Sequence, residues 1–203
     1  MTTLQERTLE ERALEDFALE QRALDERDRR SAETAALLAA GARAVVRLSA
    51  RMPATLRRRG LAVAPTSRGA AVFESACRER SLSLASAGED DGVLGPWRLW
   101  TSDADPVELK RAALYVEEGS WLGQLLDLDV AGGDGLVGRS RLCLPPRPCV
   151  VCGGAATACS GRAPHPASAV EAAFATILLR SSSGPCAGSL DGSAVGDYPS
   201  LHI

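Results

Sequence analysis

Between residues 31 and 179 the hydrophobic pattern switches repeatedly between helical and strand periods, and each switch marks an element. "SAETAALLAAGA" (31–42) is a run of helix formers with Ser31 placed as N-cap and Gly41 as the stop. In "ARAVVRLSARMP" (42–53) the β-branched pair and the closing Pro53 predict a strand. "TLRRRG" (55–60) reads as a basic turn, and "RGAAVFESACRER" (68–80) as a second helix with Cys77 toward the core. "GPWRLWTSDADP" (95–106) predicts a strand that leads into the best-specified helix of the chain. Asp105 can cap that helix, Pro106 takes its first position, Glu108 is the capping-box partner and Gly119 closes it. "LLDLDV" (125–130) alternates as a strand, "AGGDG" turns, and "ASAVEAAFATILL" (167–179) has the length of a packed helix.

Both ends break this pattern. Residues 3–27 repeat with a period of five, from TLQER to ALDER. A five-residue step advances about 140° around a helix, so Leu4, Leu9, Leu14, Leu19 and Leu24 spiral around it without forming a stripe. Residues 1–29 are therefore expected to be a charged extension, partly helical or disordered. Residues 30–180 form the expected globular domain. Residues 181–203, rich in Gly, Ser, Pro and Asp, bury too little to offset ordering entropy and are expected to be a disordered tail, so Cys186 and His202 within it receive no role.

The expected fold is α+β: a single domain with a mixed or mostly antiparallel sheet of roughly four strands covered by helices, plus a Cys3His loop. The interleaving of strands and helices also fits an α/β sandwich. With 203 residues and 45% hydrophobic content, one core is affordable. A net charge of −3 argues against a nucleic-acid footprint, which needs a clustered basic surface. Of 23 basic residues only Lys110 is a lysine, a bias that either suits phosphate recognition or reflects base composition. No apolar run reaches the roughly 20 residues of a membrane span, and the charged N-terminus lacks a signal-peptide core. A cytoplasmic location is expected, where cysteines stay reduced.

Cys149, Cys152, Cys159 and His165 lie within residues 149–165. A C-x2-C pair lets two thiolates converge on one cation, and four N/S ligands make a closed tetrahedral site of the structural zinc kind. A thioredoxin-type redox pair and a chance cluster remain open on spacing alone. Asp127 and Asp129, two apart on the expected strand, share one face, where they either hold Mg²⁺ or simply face solvent. Arg139, Arg141 and Arg147 lie between that strand and the cysteines, with forks that suit polyphosphate or ordinary solvation.

"LCLPPRPCVVCGGAATACSGRAPH" resembles the Leu-Pro-Pro-Arg-x-Cys-x-x-Cys block of the apo-citrate lyase phosphoribosyl-dephospho-CoA transferase family, also called holo-citrate lyase acyl-carrier-protein synthase. Its motif positions fall on Leu144, Pro145, Pro146, Arg147, Cys149, Cys152, Cys159, Arg162 and His165. "DADPVELKRAALYVEEGSWLGQLLDLDV" is similar to the family's upstream helix and strand entry, and "VVRLSARMPA" to a third segment. Arg51 stands where asparagine is usual, Ala54 and Cys143 where glycine is, and Gln124 where arginine is.

The resemblance implies a cytoplasmic transferase of nucleotidyltransferase type. A serine of the citrate lyase acyl carrier subunit attacks the α-phosphate of 2′-(5″-triphosphoribosyl)-3′-dephospho-CoA, and diphosphate leaves. On that reading Asp127 and Asp129 are candidate catalytic Mg²⁺ ligands and Glu117 a candidate base. Lys110, Arg139 and Arg147 become candidate triphosphate contacts. Cys149, Cys152, Cys159 and His165 become ligands of a structural Zn²⁺. An inactive carrier-binding relative and a zinc-dependent binding module are the alternatives.

Overall fold

The computed structural model describes residues 9–182. In chain order these form α1 (Leu9–Ala39), β1 (Ala44–Ala50), α2 (Ala54–Arg58), α3 (Val63–Glu79), β2 (Ala85–Gly92), β3 (Gly95–Ser102) and α4 (Pro106–Gly119). Then come β4 (Leu126–Gly132), β5 (Gly135–Leu136), α5 (Ala156–Arg162) and α6 (Ala167–Ser182), with 3-10 turns at Leu122–Leu125 and Arg139–Leu142. The sheet order is β2-β3-β1-β4-β5, and every pairing is antiparallel. The fold is a single α+β domain. Among the described residues no helix is long and apolar enough to cross a membrane. Cys186 and His202 lie outside the described residues.

Alternation along β1 sorts the helices between the two faces of the sheet. Ala44, Val46 and Leu48 point to one face, where they meet Phe73 and Ala76 of α3 and Leu109, Ala112, Ala113 and Val116 of α4. This is the main core, extended by Trp100, Leu128 and Val130. Gly69 of α3 is required there, because a Cβ would collide with the Leu126 side chain. Val45, Trp97 and Leu99 take the opposite face and pack on Leu37 and Leu38 of α1. A third cluster joins Met52, Leu56 and Leu125 to Phe174 and Ile177 of α6.

Ser31 does not begin a helix. α1 runs through it without a break and ends at Gly41, whose φ of +104° supplies the left-handed turn a side chain disfavours. The reason is tertiary. Glu26, in the segment read as an extension, is buried at 7% exposure, bonds Arg30 and accepts the Leu94 N–H at 3.2 Å. The Arg29 and Arg30 guanidinium groups also lie 5.7 and 5.3 Å from the Trp97 ring centre. These contacts tie α1 to the β2–β3 hairpin.

α4 starts as its sequence specifies: the Asp105 carboxylate accepts from the Val107 N–H at 2.8 Å and the Glu108 N–H at 3.4 Å. Glu108 itself pairs with Arg111. β2 had no sequence signal. Its residues, ASAGEDDG, are mostly exposed and it borrows its ladder from β3.

Candidate active site and metal centre

Antiparallel register sets Arg47 opposite Asp129 and Ser49 opposite Asp127, so both aspartates emerge on the α1 face, opposite Leu128 and Val130. Asp129 is held by Arg47 at 2.9 Å, and Asp127 by Arg147 at 3.2 Å. Asp127 lies on a cleft of about 960 Å³ that separates α1 and α2 from the Cys/His segment and α6. Five arginines line it: Arg27 and Arg30 from α1, Arg47 from β1, Arg51 just after it, and Arg57 from α2. An apolar wall of Met52, Val170 and Phe174 faces them.

Arg30 and Arg47 are paired with Glu26 and Asp129, whereas Arg51 and Arg57 have no acidic partner within ion-pair distance among the described residues. Arg51 has its pKa lowered, first by burial and then by the neighbouring Arg147 charge. Arg57 is lowered by burial and next by Arg27. The buried Nε atoms of Arg30 and Arg57 make no hydrogen bond within the described residues. Crowded, partly desolvated guanidinium groups gain most from an anion of high charge density. The Asp127 carboxyl is pushed above the usual range by desolvation, then by Asp129, with Arg147 and Arg51 opposing.

Arg147, Lys110 and Glu117 cover the outer edge of β4. β5 pairs only with Ala131 and Gly132, which leaves the outward backbone groups of the earlier residues needing partners. Arg147 donates to the Leu126 carbonyl at 2.8 Å and to the Gly123 carbonyl. Lys110 Nζ donates to the Leu128 carbonyl at 2.7 Å, and Glu117 accepts the Leu128 N–H at 2.7 Å. Lys110 and Glu117, 6% exposed each, are 3.7 Å apart. Burial raises the Glu117 pKa and the Lys110 charge opposes it. Gly123 belongs to this arrangement, since a Cβ would strike the carbonyls of Val116 and Glu117.

A second cleft of about 520 Å³ follows this edge, lined by Glu117, Glu118, Ser120, Gln124 and Arg147. Arg51, Cys149 and Val150 line both clefts and form their boundary. Arg51 and Gln124 both line this second cleft. Lys110 lines neither. Arg139 also lines neither; it pairs with Glu118 and donates to the Pro145 carbonyl at 2.7 Å.

Cys149, Cys152, Cys159 and His165 converge, with all four donor atoms within 4.8 Å of one another. Gly153, at φ +73°, reverses the chain after the C-x2-C pair, and α5 delivers Cys159. Cys152 and Cys159 Sγ lie 3.6 Å apart, and Cys149 Sγ lies 3.5 Å from His165 Nε2. Ligands on a tetrahedral zinc sit about 3.8 Å apart for two sulfurs and about 3.5 Å for sulfur and nitrogen. The donor set can therefore hold a metal such as zinc. Backbone N–H groups of Cys152 and Val151 directed at Cys149 lower its pKa to about 6. The Cys152 contact raises that of Cys159 to about 11, as expected where thiols crowd without a cation. No such third ligand joins Asp127 and Asp129 among the described residues.

The sequence pattern of the family described as apo-citrate lyase phosphoribosyl-dephospho-CoA transferase matches residues 19–180. The chain belongs to that family. No curated protein matches it. The family's match begins inside α1, so the part of the helix that carries Arg27 and Arg30 falls within it. The family's activity is transfer of a phosphoribosyl-dephospho-CoA group to apo-citrate lyase.

The arginine cleft was not legible as a site beforehand, except for the basic run at 57–59. Its members lie up to 30 residues apart on three elements, and an arginine's position in sequence says nothing of its neighbours in space. Cys143 has φ +54°, the left-handed conformation glycine favours.

Proposed function

We propose that this transferase takes 2′-(5″-triphosphoribosyl)-3′-dephospho-CoA as donor and a serine of the citrate lyase acyl carrier subunit as acceptor. The observation that carries this reading is the cleft of five crowded arginines with Asp127 at its floor. A triphosphate is the densest negative charge in the donor, and it suits the guanidinium groups of Arg51 and Arg57, which have no acidic partner within ion-pair distance among the described residues. The apolar wall of Met52, Val170 and Phe174 suits the uncharged parts of the same molecule.

The serine Oγ forms a bond to the α-phosphorus while the bond from that phosphorus to the oxygen bridging to the β-phosphate breaks. Diphosphate leaves with the electron pair, and the serine proton passes to Asp127. Asp127 suits this task because desolvation and Asp129 make it more basic than an ordinary aspartate. Charge on the departing diphosphate is balanced by Arg51 and its neighbours, fixed before the reaction begins. Asp129 and Arg47 act through position, holding the floor of the cleft. Arg147 orients Asp127 while bonded to the β4 edge. Lys110 and Glu117 hold that edge rather than the donor.

Cys149, Cys152, Cys159 and His165 hold one structural Zn²⁺ on this reading. Cys149, Cys159 and His165 line the arginine cleft, so the metal fixes one of its walls.

Mass spectrometry of the apo-carrier after incubation with the triphosphoribosyl donor tests the assignment. A mass gain equal to the phosphoribosyl-dephospho-CoA group, with one diphosphate released per carrier, is expected. An unmodified carrier rejects it.

A further inference from the structure

We infer that the acceptor enters through the second cleft, along the β4 edge, so that a serine-bearing segment of the carrier meets the donor at Arg51. This rests on the transferase reading above and adds the route and surface for the protein partner.

Displacement at phosphorus sets the incoming and leaving oxygens roughly in line on opposite sides of the reacting atom. A site for this reaction therefore needs two approaches that meet. Two of the clefts among the described residues meet at Arg51. Asp127 on the first and Arg147 on the second are 3.2 Å apart across that junction.

Charge decides which reactant takes which side. The first cleft has four arginines beyond the shared Arg51; Glu26 and Asp129 pair with Arg30 and Arg47, and its lining acids are Asp127 and Glu171. In the second, Arg51 and Arg147 stand beside Glu117 and Glu118, carboxylates that also pair with Lys110 and Arg139, and the remaining polar groups are Ser120 and Gln124. A polyphosphate is held by the first and gains nothing in the second. An uncharged hydroxyl has the opposite need, since it pays no penalty beside carboxylates and finds hydrogen-bonding groups there.

Size and access agree. About 520 Å³ takes a few side chains of an extended segment, whereas the larger cleft fits the donor. Glu118, Ser120 and Gln124 are exposed at the second cleft, so a protein can reach it without displacing α1 or α6.

The test places a photo-crosslinking phenylalanine analogue at Gln124 in one variant and at Thr55, on the arginine cleft, in another. Each is irradiated with purified apo-carrier. A crosslink from position 124 to the peptide bearing the acceptor serine, with none from 55, is expected. A crosslink from 55, from both sites, or from neither overturns the proposal. Because crosslinking needs no turnover, it reads the entry route even where the carrier gains no mass, and so separates this failure from failure of the transferase assignment. In parallel, Gln124→Trp is expected to raise the KM for carrier at least tenfold with the Kd for inorganic tripolyphosphate unchanged. An unchanged carrier KM, or weakened tripolyphosphate binding, counts against the route.

Discussion

Asp127 and Arg147 face each other at 3.2 Å, and the same guanidinium is bonded to the backbone of Leu126 and Gly123. The aspartate is thereby oriented by the sheet edge rather than by a flexible side chain. Its pKa is shifted upward, first by desolvation and then by Asp129, and burial also raises that of Glu117.

Asp127→Asn is expected to lower the transfer rate by roughly 10²–10⁴, the usual worth of a positioned base. In the wild type, activity falls as pH drops through a value above the ordinary aspartate range. Arg147→Ala removes a charge that opposes this rise, so the acid limb moves to higher pH. Stability has the opposite sign. A carboxyl whose folded pKa is raised favours folding most in acid, and that contribution is lost as pH rises through the folded pKa. Asp127→Asn is thus expected to unfold at a higher temperature than wild type at neutral pH, measured by calorimetry.

Arg51→Ala and Arg57→Ala are each expected to weaken inorganic tripolyphosphate binding by roughly tenfold or more, the worth of one charged hydrogen bond. Arg98→Ala, which alters a hairpin ion pair with Glu89, leaves that binding unchanged. Isothermal titration at fixed salt distinguishes them.

One equivalent of zinc is expected per chain by elemental analysis, and Cys159→Ala or His165→Ala should abolish it. Cys77→Ser and Cys143→Ser retain the metal, since neither belongs to the converging set. Removing the metal with a chelator should lower the melting temperature and weaken tripolyphosphate binding, because the same segment walls the cleft.

Lys110→Met leaves the buried Glu117 carboxylate with only Arg147, at 3.8 Å, and frees the Leu128 carbonyl. A cost of about 3–5 kcal/mol in urea unfolding is expected. With that charge gone, the Glu117 pKa climbs further. The donor KM of the protein that remains folded is expected to be unchanged; a large rise would return Lys110 to the substrate site.

Cys143→Gly relieves a side chain from left-handed backbone and is expected to raise stability by about 1 kcal/mol, read as a higher denaturation midpoint.

The sequence by itself determined the elements whose signals are local. Asp105 and Pro106 specified the start of α4, the Asp127/Asp129 alternation gave the face of β4, and Gly41 marked the end of α1. Spacing brought the three cysteines and His165 together on paper, and their donor atoms do converge. Tertiary structure alone decided the rest. Ser31 looks like a cap until Glu26 and Arg30 lock the helix before it onto the hairpin. In the sequence Lys110 is a candidate triphosphate contact and Glu117 a candidate base; that both serve Leu128, left in need of partners by a two-residue β5, is decided by the fold. The arginine cleft exists only because α1, β1 and α2 pack beside one another. Periodicity and capping act within a few residues and leave a trace in the chain, whereas the charge around a guanidinium is set by whichever distant segments the fold brings beside it.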